Sequence, residues 1–109
     1  MKEIDWSSLS FGYMKTDYNV RCWYRNGAWG EIEISSEETL NIHMAATCLH
    51  YGQEAFEGLK AYRCPDGKVR VFRMDENAAR LQSSCRGIMM PELPTELFEE
   101  MVTKVVRLN

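Results

Sequence analysis

The chain has 109 residues, of which 45% are hydrophobic and 27% charged, with a net charge of -3 at neutral pH. That length supports one small domain rather than two. Arg21, Arg25, Lys60, Arg63, Lys68, Arg70 and Arg73 are scattered and form no run, so neither a nucleic acid nor an acidic membrane is the expected partner.

No apolar stretch approaches membrane-spanning length, and Met1-Lys2-Glu3-Ile4-Asp5-Trp6 lacks the apolar core of a secretory signal. The expected compartment is therefore the cytoplasm. Cys22, Cys48, Cys64 and Cys85 are irregularly spaced with no CxxC pair, which points to free thiols rather than disulfides or zinc ligands.

The first twelve residues read as an irregular lead-in. From Tyr13 to Trp23 the β-branched and aromatic content rises, Arg25-Asn26-Gly27 supplies a turn, and Ala28 to Ile34 alternates polar and apolar residues. These predict a hairpin. Ser35 to Thr47 reads as a loop with a short strand near Leu40-Asn41-Ile42. Cys64-Pro65-Asp66-Gly67 is a turn, and Lys68 to Arg73 should return to pair with Glu54–Arg63. In that strand Phe56, Gly58, Lys60 and Tyr62 share one face, and Ala55, Glu57, Leu59 and Ala61 the other.

Asp75 is the expected N-cap of a helix from Glu76 to Arg86, with Leu81, Cys85 and Ile88 on its apolar side and Gly87 just beyond its end. Pro91 and Pro94 precede a last helix striped by Leu97, Phe98, Met101, Val102, Val105 and Val106. Its pattern runs to Asn109 without a clear stop beyond it, as expected of a cut through a longer protein, with Asn109 itself as a cap the alternative. Strands first and helices second predict an α+β fold: a small antiparallel sheet with two helices.

Three places carry chemistry. Arg80 falls in the first two turns of a helix, where free N–H groups and a planar guanidinium suit a phosphate. From spacing alone the favoured reading is a solvated arginine on the polar face or an ion pair with Asp75 or Glu76. Phe56, Gly58 and Lys60 would form an apolar wall with one charged edge, suited to an apolar amino acid, or else a piece of core with a bulge. Tyr51 offers a ring and a hydroxyl beside Gly52. His50 has no Asp or Ser partner at a telling spacing, and Glu54 and Glu57 point to opposite faces of a strand, so neither a general base nor a glycosidase pair is expected.

Taken in order, Leu49-His50-Tyr51-Gly52, Phe56-Glu57-Gly58-Leu59-Lys60-Ala61-Tyr62, Val71-Phe72-Arg73 and Asn77-Ala78-Ala79-Arg80-Leu81 resemble the amino-terminal domain of the branched-chain amino-acid aminotransferases. Asp5-Trp6, Asp17 and Trp29-Gly30 extend the resemblance upstream, nearest the subgroup that includes the mammalian enzymes. It covers nearly the whole chain, residues 1–109, as the amino-terminal small domain of the D-amino-acid-aminotransferase-like fold, fold-type IV.

The resemblance implies that Arg80 holds the phosphate of pyridoxal 5'-phosphate. It implies that Tyr51 and Phe56 line the substrate side-chain pocket, Tyr51 across a dimer interface, with Lys60 at the pocket edge. Arg80 and Phe56 should then face one shared cavity, which a carboxy-terminal half outside this sequence would close. The full-length relative would transfer the amino group of leucine, isoleucine or valine to 2-oxoglutarate as a homodimer.

In that family the Schiff-base lysine lies in a second domain, and Lys2, Lys15, Lys60, Lys68 and Lys104 do not sit in its motif. This chain alone is accordingly expected to be inactive and to bind the cofactor weakly or not at all. Two rival readings are another fold-type IV enzyme, such as a D-amino-acid aminotransferase or aminodeoxychorismate lyase, and a stand-alone binding module that kept the fold without the chemistry.

Overall fold

A computed structural model describes residues 5–8 and 10–109. Residues 1–4 and 9 of the expected lead-in, including Lys2, lie outside the described residues. The architecture is α+β, but its strands form two separate two-stranded antiparallel sheets, not one. The chain divides into two compact units, Met1–Leu40 with Thr103–Asn109, and Asn41–Val102.

In the first unit, β1 (Asn19–Arg25) and β2 (Ala28–Ser35) form the expected hairpin. Arg25 pairs with Ala28 across a two-residue turn in which Asn26 and Gly27 have φ of 53° and 80°. This doubly left-handed geometry matches the twist of the strands, and few residues other than Asn and Gly adopt it. The register shifts between Cys22 and Tyr24. At this bulge the Trp23 indole donates to Glu33 at 3.1 Å, and the Arg25 guanidinium lies 4.7 Å from the Trp23 ring centroid.

A 3-10 turn over Trp6–Ser8 is held by Asp5, whose carboxylate accepts from the Ser7 amide and hydroxyl. The strand expected near Leu40–Ile42 does not form. Both apolar side chains are exposed there, and an extended run without a neighbour leaves its backbone groups to water.

In the second unit a short α1 (Thr47–His50) precedes Tyr51 and Gly52, the latter at φ 63°. β3 (Ala61–Arg63) pairs with β4 (Val69–Val71) through the expected turn, closed by hydrogen bonds from the Cys64 amide to the Lys68 carbonyl and from the Gly67 amide to the Cys64 carbonyl. The pairing is shorter than the sequence predicts. Arg73 takes a left-handed φ of 49° and opens a helix at Met74, which ends the return strand early. Upstream of β3, Glu57 and Gly58 are instead held by Asn77 and Arg80 of that helix.

That helix, α2 (Met74–Gly87), starts one residue before the predicted cap Asp75. Asp75 and Glu76 lie inside its first turn, where carboxylates favour the helix dipole, and Glu76 pairs with Arg73 at 2.8 Å. Gly87 is its last residue rather than the one beyond. The left-handed position falls on Met89, and the Met90 amide closes onto the Cys85 carbonyl at 2.9 Å.

α3 (Thr95–Leu108) follows Pro94, whose carbonyl accepts from the Phe98 amide. Gln82 joins α2 to the entry of α3 by donating to the Leu93 carbonyl and the Thr95 hydroxyl. The buried hydrophobic side chains among the described residues are Ala78, Cys85 and Phe98, all in this unit. Phe98 belongs to the predicted stripe of α3, and Cys85 to that of α2.

Candidate functional site

Residues 53–61 alternate strictly between half-buried and exposed, with Gln53, Ala55, Glu57, Leu59 and Ala61 turned inward. The period of two read from the sequence is therefore present, although regular strand begins only at Ala61. Phe56, Gly58, Lys60 and Tyr62 face outward, Phe56 with 88% of its surface exposed. A Cβ built on Gly58 would lie 3.5 Å from Phe56 Cε1. The Phe56 ring thus lies over position 58 on the outward face, at ordinary van der Waals distance from where a Cβ would stand.

The inward face carries an ionised group. Glu57 Oε1 accepts from Arg80 Nε at 2.6 Å and Oε2 from Arg80 Nη2 at 2.7 Å. Asn77 Nδ2 donates both to Glu57 Oε2, at 2.8 Å, and to the Gly58 carbonyl, at 3.2 Å. Asn77 and Arg80 lie three apart on α2 and so share its face toward this segment. The Arg80 hydrogen bonds hold the Glu57 carboxyl at about 2, far below its usual 4.5, against the opposing effect of burial.

Arg80 lies within the first two turns of α2, as the sequence predicts, and an ion pair with Asp75 or Glu76 is one of the alternatives the sequence leaves open. The partner is instead Glu57, 23 residues away in sequence. One signal was available: Glu57 falls on the inward parity of an alternating segment, and a carboxylate turned inward needs a cation.

Tyr51 is exposed at the end of α1 and Lys60 on the outward face of the segment. The His50 ring nitrogen Nε2 is engaged with the Met44 carbonyl at 2.6 Å. Arg80 is tied to the inward side of the segment through Glu57, whereas the Phe56 ring lies over Gly58 on the outward side. Glu57 and Phe56 are adjacent residues of an extended segment and so point to opposite faces.

Arg80 is nonetheless suited to an anion. Its side chain is 68% exposed, and Nη1 with the outer N–H of Nη2 is not engaged by Glu57. Those donors match the geometry of a phosphate oxygen pair. The four cysteines are free thiols, the described residues hold no cluster of three or more metal-ligating side chains, and no described helix is long and apolar enough to cross a membrane.

No family model matches the chain. Individual relatives do. The chain is 47% identical over its full length to a branched-chain-amino-acid aminotransferase of Haemophilus influenzae and 44% identical to that of Helicobacter pylori, in each case covering 32% of the relative. It is 44% identical, over 96% of its length, to branched-chain-amino-acid transaminase 1 of Bacillus subtilis, covering 30% of it. The chain thus spans about a third of the length of these curated relatives. By sequence the chain is similar to branched-chain-amino-acid aminotransferases over about a third of their length.

Proposed function

We propose that residues 1–109 form the amino-terminal small domain, of the D-amino-acid-aminotransferase-like fold, of a pyridoxal-phosphate transaminase. The full-length enzyme would move the amino group of leucine, isoleucine or valine to 2-oxoglutarate in the cytoplasm, as a homodimer. Within it Arg80 anchors the cofactor phosphate, Tyr51 and Phe56 contact the substrate side chain, and Lys60 lies at the pocket edge. When bound, the cofactor supplies the electron sink and carries the amino group between substrates. The reactive lysine comes from chain outside this segment, so the segment alone is inactive.

The observation that carries this reading is the Arg80 guanidinium, fixed on its inner edge by Glu57 and open on its outer edge to an anion. Identity of 44–47% over the whole of this chain to named branched-chain-amino-acid aminotransferases, of which it spans about a third, supports the substrate class. The exposed rings of Tyr51 and Phe56 support a pocket whose other walls are supplied by further chain.

The test is Arg80→Ala in the full-length protein, with cofactor content measured after dialysis. Losing a charge-assisted contact should weaken retention by about tenfold or more. Unchanged occupancy would remove the phosphate role.

A further inference from the structure

We propose that Glu57 is the positioning residue for Arg80, holding the guanidinium so that its free edge is presented to the cofactor phosphate. The inference rests on the reading of Arg80 as the phosphate anchor and adds a residue that this reading does not require.

An arginine on a solvated helix face samples many rotamers, and only a few of them direct paired N–H groups at a given point. Here the choice is made by a carboxylate that is itself immobile. The Glu57 side chain is 6% exposed and takes three hydrogen bonds, two from Arg80 and one from Asn77. Asn77 also holds the Gly58 carbonyl, which ties the backbone beside Glu57 to the same helix. The carboxylate occupies Nε and the inner N–H of Nη2, leaving the opposite edge of the same rigid plane unspent.

Charge and orientation make opposite demands here, which gives the inference its test. Glu57 cancels the charge of Arg80. If net charge governed anion binding, removing the carboxylate would tighten it. If orientation governs, removing the carboxylate loosens binding although the site has become more positive.

The experiment uses the full-length protein stripped of cofactor and titrated with pyridoxal phosphate and, separately, with pyridoxal, which lacks the phosphate. Glu57→Gln should bind pyridoxal phosphate about tenfold more weakly while its affinity for pyridoxal stays within about twofold. A general folding defect would weaken both ligands alike. Unchanged or tighter binding of pyridoxal phosphate by Glu57→Gln overturns the proposal, as does equal weakening of the two ligands. If that variant does not fold, Glu57→Asp decides by the same criterion, since it keeps the charge but withdraws the carboxylate by one methylene. Arg80→Ala is run in parallel. If it weakens pyridoxal phosphate binding and the Glu57 variants do not, positioning alone fails. If Arg80→Ala changes nothing, the phosphate-anchor reading fails, and positioning with it.

Discussion

Glu57 and Arg80 are joined by two parallel hydrogen bonds of 2.6 and 2.7 Å, although the glutamate side chain is 6% exposed and the arginine 68%. The pair is asymmetric: one partner belongs to the interior of its unit and the other to solvent. Removing Arg80 would leave an inward carboxylate with only Asn77, whereas removing Glu57 would leave a solvated cation. The first loss weighs more on folding, the second on orientation.

The acid response of the fold follows from this pair. Glu57 has a folded-state value of about 2 against 4.5 ordinarily, with Arg80 as the main cause. A depressed value means that the unfolded chain takes up the proton first. The stabilisation is complete above pH 4.5 and is lost progressively as pH falls toward 2. Denaturation midpoints of Glu57→Gln should be lower at neutral pH and less dependent on pH through that window. A variant with the same acid slope as the native protein would refute the assignment.

Phe56→Ala should separate substrate selection from stability. The ring is 88% exposed, so its loss should change the unfolding free energy by less than about 0.5 kcal/mol. In the full-length enzyme the ratio of kcat/KM values among leucine, isoleucine and valine should shift by about tenfold or more. Identical ratios would remove Phe56 from the pocket.

Gly58 gives a graded version of the same test. Its added Cβ would meet the Phe56 ring at ordinary van der Waals distance, so Gly58→Ala should be tolerated. Gly58→Val branches toward the ring and should displace it, reproducing part of the specificity change of Phe56→Ala with less than about 1 kcal/mol lost. Kinetics of the two variants that do not differ would show that the ring position is immaterial.

Gln82 is expected to matter for stability alone. Its amide donates to the Leu93 carbonyl at 2.8 Å and the Thr95 hydroxyl at 3.1 Å, fixing the approach to α3. Gln82→Ala should cost about 1–2 kcal/mol in urea unfolding and leave cofactor affinity unchanged. A loss of cofactor binding without a loss of stability would contradict that role.

Sequence alone determined the elements that depend on neighbours in the chain. Asn26-Gly27 dictated the first hairpin because few other pairs accept two left-handed residues in succession. Pro65-Asp66-Gly67 did the same for the second, and alternation over residues 53–61 sorted Phe56 from Glu57 because a period of two is local. The helix limits were legible only to within a residue or two. The left-handed positions fell on Arg73 and Met89, residues with no intrinsic preference for them.

Tertiary structure decided which charges meet. Glu57 and Arg80 are 23 residues apart, and nothing in their local spacing favours that pair over Arg80 with Asp75 or Glu76. The choice is made when α2 lies along the inward face of the extended segment and a desolvated carboxylate takes the nearest cation it can reach. That partner exists only once the chain has folded.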